Sequence, residues 1–220
     1  MERTIKVTGK GKISVKPDLI RLVMSLEGIR ESYEDALRFS ATETECLKDM
    51  FEKLEFQRSD LKTLSFNIDT EYENYQDRDK RWKRRFVGYK FHHSLKVEFN
   101  ADNALLGKVL YTLAYGAVTP EFRIIYTVKN MEAAKNELLA EAVQDSRAKA
   151  EKLSVVAGVT LGEVILIDYS WGEIEILSSP MDRMLAPQMV MEDSSCSYNI
   201  DIEPDDIDVQ DTVTVVWRIA

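Results

Sequence analysis

Alternation of apolar and polar positions runs through much of this chain. Ile20, Leu22, Met24 and Leu26 alternate with Arg21, Val23, Ser25 and Glu27, which predicts a half-buried strand. Residues 4–15 place Ile5, Val7, Ile13 and Val15 on another strand, broken by Gly9-Lys10-Gly11. That break predicts a glycine bulge or bend. Pro17-Asp18 is a turn signal, so the two segments read as a hairpin. Further strands are predicted over 61–68, 88–99 (Leu95, Val97 and Phe99 on one face), and 122–128 through Phe122, Ile124, Tyr126 and Val128. A closing strand sets Val213, Val215, Trp217 and Ile219 against Thr212, Thr214, Val216 and Arg218.

Elsewhere the period switches to that of a helix. Ser32, with Asp35 three residues on, caps a helix carrying Ala36, Leu37, Leu47, Met50, Phe51 and Leu54, which ends near Glu55. Asp102 or Asn103 caps a short helix through Leu105, Leu106, Val109, Leu110 and Leu113, stopped by Gly116. Asn130 caps a long helix over 131–157 that Gly158 terminates. Its expected stripe is Leu138, Ala142, Leu153 and Val156, and Ala148, Ala150 and Ala157 are small enough for a close approach. Residues 164–167 then read as a buried strand. Residues 69–85 are polar and read as an exposed hairpin tip or loop. Residues 170–196, rich in Met, Ser and Asp and holding Pro180 and Pro187, read as an inserted or partly disordered excursion.

The resulting order, ββαββαβαββ, predicts an α+β fold: a mainly antiparallel sheet, or sheets, covered by helices. The expected organisation is a single domain over 1–220, built of two intertwined halves split near residue 100.

Composition narrows the function classes. With 45% apolar and 30% charged residues the chain resembles an ordinary soluble protein. A net charge of −9 argues against broad nucleic-acid binding, which needs a cationic face. The start Met1-Glu2-Arg3-Thr4-Ile5-Lys6-Val7 has no signal-peptide core, and no apolar run is long enough to span a bilayer. As given, the chain reads as cytoplasmic; trimmed of a leader, it would be periplasmic or secreted. Cys46 and Cys196 lie far apart with no Cys or His at metal spacing, so reduced thiols are expected, with a single disulfide as the alternative.

The sequence names no catalytic residue, cofactor or metal ligand. Gly9-x-Gly11 lacks the following helix that a phosphate loop needs. His92 and His93, being adjacent on a strand, point to opposite faces and do not readily share a metal. Arg78, Lys80, Arg81, Lys83, Arg84 and Arg85, interleaved with Trp82 and Phe86, form the one basic cluster. It suits single-stranded nucleic acid by charge and stacking, but equally an exposed loop meeting an acidic patch on a neighbouring subunit. In an acidic chain the second reading is favoured. The acidic counterpart is Asp201, Glu203, Asp205, Asp206, Asp208 and Asp211, which lacks a calcium-loop pattern. Met181, Met184, Met189 and Met191 offer soft ligands for Cu(I), yet an adaptable partner-facing segment is the stronger reading. Asp145 and Ser146 lie near the apolar stripe of the long helix, where a hydrogen-bonded packing role is commoner than a catalytic one.

Several quoted segments together resemble the SIMPL family. Val7-Thr8-Gly9-Lys10-Gly11 with Pro17-Asp18 resembles its opening, and Gly88-Tyr89 its middle. Residues 142–164, with Ala142, Ala148, Ala150, Gly158, Leu161 and Gly162, resemble its most recognisable block, and Ile202-x-Pro204 with the last strand resembles its close. The resemblance implies bacterial periplasmic immunogenic and oxidative-stress-related relatives, an animal kinase-binding relative, an α+β fold and homo-oligomers, with no established catalytic residues. The expected function is thus a non-enzymatic, self-associating protein with a stress-related or scaffold role. The alternatives are a module binding an anionic ligand or single-stranded nucleic acid through residues 78–85 and, more weakly, an enzyme of unknown reaction.

Overall fold

The computed structural model describes residues 3–169, 176–178 and 204–220. In chain order its elements are β1 (Thr4–Val15), β2 (Leu19–Arg30), α1 (Tyr33–Glu52), β3 (Lys62–Gln76), β4 (Trp82–Asn100), α2 (Asn103–Tyr115), β5 (Glu121–Thr127), α3 (Met131–Ala157), β6 (Leu161–Asp168), β7 (Leu177–Ser178) and β8 (Ile207–Ile219). A 3-10 turn, Arg58–Asp60, lies between α1 and β3. Antiparallel sheets with helices packed on them make this an α+β fold. Cα packing divides the chain into two compact units. Among the described residues, unit 1 holds 3–18, 127–169, 176–178 and 204–220, and unit 2 holds 19–126.

The expected β1–β2 hairpin does not form. β1 pairs antiparallel with β8, from Thr4 opposite Arg218 to Val15 opposite Ile207, while β2 pairs with β4. The chain does turn at Pro17-Asp18. There the Asp18 amide donates to the Thr127 carbonyl (3.1 Å), and the Asp18 carboxylate accepts from the Lys129 amide (2.7 Å). Turn chemistry is local, whereas the choice of neighbouring strand is a long-range matter.

Unit 2 carries strands in the order β3-β4-β2-β5. Ile20, Leu22, Met24 and Leu26 from β2 and Phe91, Leu95, Val97 and Phe99 from β4 share one face. α1 covers them with Ala36, Leu47, Met50 and Phe51, and α2 with Leu106, Val109, Leu110 and Leu113. Each of these side chains larger than alanine contributes roughly 1.5–3 kcal/mol by leaving water. The expected α1 face is corrected at Leu37, which is exposed, while Ser40 and Thr44 are buried.

Unit 1 has a sheet ordered β1-β8-β6, with α3 lying on β1 and β8. The β1–β8 register is unbroken, so the expected bulge at Gly9-Lys10-Gly11 is absent. The glycines serve a different end. A Cβ at Gly9 would sit 1.9 Å from the Ala142 carbonyl oxygen, and one at Gly11 would sit 2.1 Å from that of Leu138. Backbone therefore packs on backbone. The helix answers with Ala134, Leu138, Ala142, Ser146, Ala150 and Ser154, buried at every fourth position. Such a row runs obliquely, about 26° to the helix axis. It passes by Leu153 and Val156, which the sequence placed in the stripe and which are exposed, Val156 at 88%. Ala148 and Ala157 also face solvent. Gly158 closes the helix at φ 67°, the left-handed conformation that glycine adopts most cheaply.

Among the described residues β1 and β6 are the outer strands of this sheet, and they differ. At β1, the Lys10 amide donates to the Asp145 carboxylate (2.7 Å), and the Lys149 ammonium donates to the Thr8 carbonyl (3.3 Å). Asp145 and Lys149 also pair with each other at 2.6 Å. α3 thus caps that edge, and Asp145 and Ser146 have the packing role that their position on the helix suggested. α3 barely reaches β6. The expectation of a buried strand there is corrected: Val164, Ile165, Leu166 and Ile167 are 41, 41, 55 and 52% exposed.

Candidate functional site

The basic cluster lies on an arm. β2 stops pairing with β4 at Arg30 opposite Tyr89. β3 and β4 continue beyond that point as a two-stranded ribbon, from Tyr72 opposite Phe86 to Gln76 opposite Trp82. The strands therefore extend well into the expected loop over 69–85, leaving only residues 77–81 as the tip. Asp77 builds the tip: its carboxylate accepts from the amides of Asp79 (2.9 Å) and Arg81 (3.0 Å), while Lys80 takes φ 60°. Lys83 lies 2.8 Å from Asp77 and, with these amides, holds its carboxyl below the ordinary range.

Side chains alternate across the ribbon. Tyr72, Asn74 and Gln76 share a face with Phe86, Arg84 and Trp82. Tyr72 and Phe86 meet edge-on at 5.6 Å, Phe86 meets Tyr89 at 5.4 Å, and Tyr89 meets Tyr33 of α1 at 5.9 Å. Arg84 lies 4.7 Å above the Tyr72 ring. The arm thus has an aromatic spine rooted in unit 2, with Trp82 at its far end 72% exposed. Its cations divide into two sets. Lys83 pairs with Asp77, Arg85 with Glu73, and Arg84 stacks on Tyr72. Arg78, Lys80 and Arg81 form no side-chain ion pair among the described residues.

The other expected sites are dispersed. Met181, Met184, Met189, Met191 and Cys196 lie outside the described residues, as do Asp201 and Glu203. Asp205 and Asp206 are exposed, Asp208 accepts from the Ser14 hydroxyl (2.7 Å), and Asp211 accepts from the Tyr169 hydroxyl (2.8 Å). Among the described residues no group of His, Cys, Asp and Glu could hold a metal. Cys46 is half-buried against the unit 2 core. Pro204 lies just before β8, and Leu161 and Gly162 open β6.

Sequence reasoning missed one polar cluster. His93 and His92 do take opposite faces. His92 Nδ1 lies 2.7 Å from Glu27, whereas His93 Nδ1 lies 3.0 Å from Thr44 and 3.3 Å from Ser40 of α1. His93 Nε2 lies 2.9 Å from Thr63 of β3. Hydroxyls on both ring nitrogens, with no orienting carboxylate, make a clamp between α1 and the sheet, not a nucleophile–base pair. Burial, then Lys48 and His92, push its pKa down. A helical spacing of Ser40 and Thr44 facing a strand histidine was the only sequence signal for it.

Unit 2 also has a cavity of about 370 Å³, lined in part by Ser25, Glu27, Glu43, Thr119 and Glu121. Burial raises the Glu43 pKa, while hydrogen bonds from Lys90 and His92 lower that of Glu27. The lining offers carboxylates without a positioned nucleophile.

Among the described residues no helix is long and apolar enough to cross a membrane. Two curated relatives are 28% identical over 176 residues, covering 80% of this chain and 67% of their own length. They are the 26 kDa periplasmic immunogenic proteins of Brucella melitensis biotype 1 and Brucella abortus. The sequence pattern of the SIMPL family, described as a protein of unknown function (DUF541), matches residues 5–217. With that match spanning both units, the chain belongs to the SIMPL family.

Proposed function

We propose that this chain is a non-enzymatic, self-associating protein that works by assembly, as a scaffold with a stress-related role. The observation that carries the reading is the β3–β4 arm. A two-stranded ribbon is marginally stable alone, and here it exposes Tyr72, Tyr75, Trp82 and Phe86. Exposed aromatic surface of this kind favours a partner. Its paired cations reduce the charge it offers to phosphate. Native mass spectrometry and light scattering test the reading. The wild type is expected above monomer mass at micromolar concentration, and replacing residues 73–85 with a short turn is expected to lower that mass. A wild-type monomer would overturn the reading.

A second reading rests on Arg78, Lys80, Arg81 and the exposed Trp82, a set able to bind an anionic ligand or a single strand by charge and stacking. It requires salt-sensitive binding of a polythymidine oligonucleotide, lost on changing these cations to Ala. The names of the relatives put those proteins in the periplasm. Cell fractionation decides whether this chain joins them there or stays in the cytoplasm.

A further inference from the structure

We propose that β6, which among the described residues pairs only with β8, pairs along its other edge, antiparallel, with the β6 edge of a second copy of this chain, about a two-fold axis. The proposal rests on the self-association reading and names one of its surfaces. Free strand edges invite pairing, and proteins blunt them with charge, proline or a cover. β1 carries Lys6, Lys10 and Lys12 and is capped by Asp145 and Lys149. The outer strand of unit 2, β3, carries Lys62, Asp69, Glu71 and Glu73. β6 reads Leu-Gly-Glu-Val-Ile-Leu-Ile-Asp, with neither lysine nor proline. Its apolar run is exposed at successive positions, which face opposite sides of the sheet.

That combination selects the occupant. A helix or loop laid on one face would leave the other face and the edge amides wet, whereas a strand satisfies all three. Self-complementarity favours a second copy. Two chains of net charge −9 repel each other least where the contact adds no like charges, and the β6 centre is uncharged. Glu163 at one end is neutralised by Arg218 at 2.6 Å. In a register centred on Ile165, Val164 faces Leu166 and Glu163 faces Ile167, so the acids of the two copies do not meet. Register shifts between β6 and β8 are confined to residues 161–166, and Leu166, Ile167 and Asp168 pair regularly with Val216, Val215 and Thr214. A two-fold contact of this kind is self-complementary and closes.

The test combines charge insertion with cross-linking. The double variant Ile165→Lys/Ile167→Lys, checked for folding by circular dichroism, is expected to halve the native mass of the assembly. If the wild type is a strict monomer, the self-association reading falls and this proposal with it. If the wild type assembles and the folded double variant keeps its full mass, only the β6 contact is overturned. A cysteine scan decides independently, should the lysines impair folding. In a Cys46→Ser/Cys196→Ser background, Val164→Cys, Ile165→Cys, Leu166→Cys and Ile167→Cys are oxidised beside Leu37→Cys, an exposed α1 control. A covalent dimer peaking at one or two β6 positions supports the axis. Cross-linking no greater than the control, or β6 bound instead to an added apolar strand peptide, overturns it.

Discussion

The two units seat a helix on a sheet by different means. Unit 2 fills space with side chains: Phe51, Phe91, Leu95, Leu106 and Tyr126 are almost wholly buried. Unit 1 also buries large side chains such as Trp217 and Ile176, but where α3 crosses β1 it removes them, setting Gly9 and Gly11 against Leu138, Ala142 and Ser146 so that a helix lies directly on a strand. A core of large side chains can repack around a change. A backbone contact has nothing to rotate away. Tolerance to volume should therefore divide the molecule, and the sharpest way to break the comparison is to add volume on each side.

The largest effect is expected for Gly9→Val. Its Cβ alone would collide with the Ala142 carbonyl and the Ser146 amide. Relief requires α3 to lift off β1 and give up the packing of its buried row, so the cost should exceed about 4 kcal/mol, beyond the usual range for overpacking. Val97→Ile in unit 2 adds a methylene among side chains that can shift and should cost only about 1–3 kcal/mol. Urea unfolding measures both, and hydrogen exchange resolved by peptide should put the Gly9→Val loss in β1, β8 and α3.

A smaller effect sharpens the contrast between the capped and bare edges of unit 1. Asp145→Ala removes the acceptor of the Lys10 amide at the β1 edge and should cost about 1–2 kcal/mol. The bond from Lys149, then that from the Lys10 amide, lowers the Asp145 pKa below the ordinary 3.8. The folded state therefore holds this proton less tightly than the unfolded state. The stabilisation is fully present above about pH 4 and is lost as pH falls through the lowered value. Acid unfolding of the variant should be correspondingly flatter there.

Where the sequence succeeded and where it failed follows from what each signal can see. The caps Ser32, Asp102 and Asn130 and the stop at Gly158 were legible because they act on neighbouring amides, and each is found in that role. The strands were legible where one face is dry. Residues 69–76 were not, because the ribbon is wet on both faces and shows no alternation of polarity. The α3 stripe was misread because Ser146 and Ser154 look like surface residues, while Leu153 and Val156 look like core. Nothing in an apolar run such as residues 164–167 says whether anything covers it. As for the candidate site, the basic cluster and its aromatics were legible as composition. Their division into paired and unpaired cations depends on Glu73 and Asp77 lying across the ribbon, which only the register reveals.

Unit 2 has its own polar exception, and pH should expose it. His93, clamped by Thr44 and Thr63, has a pKa held below the ordinary 6.5, chiefly by burial. The unfolded chain therefore takes up this proton first. Stability from the clamp is whole above about pH 6.5 and declines as pH falls below it. Melting at pH 7.5 and pH 5 should show a drop for the wild type that shrinks in His93→Gln.

The smallest effect has the opposite sign and concerns unit 1. The Ser154 hydroxyl is buried with no hydrogen-bond partner among the described residues. A buried, unsatisfied hydroxyl is a cost that the folded state carries and the unfolded state does not. Alanine removes it, fits a row already occupied by Ala142 and Ala150, and has the higher helix propensity. Ser154→Ala should therefore raise stability by up to about 1 kcal/mol in urea unfolding. Ser146 lies two turns earlier in the same row, but its hydroxyl donates to the Val7 carbonyl at 3.3 Å. Ser146→Ala gives up that bond and should be neutral or mildly destabilising. Should both variants behave alike, the row would be sensing only side-chain size. A split in sign would show that the backbone-to-backbone contact of unit 1 also reads where each hydroxyl finds its partner.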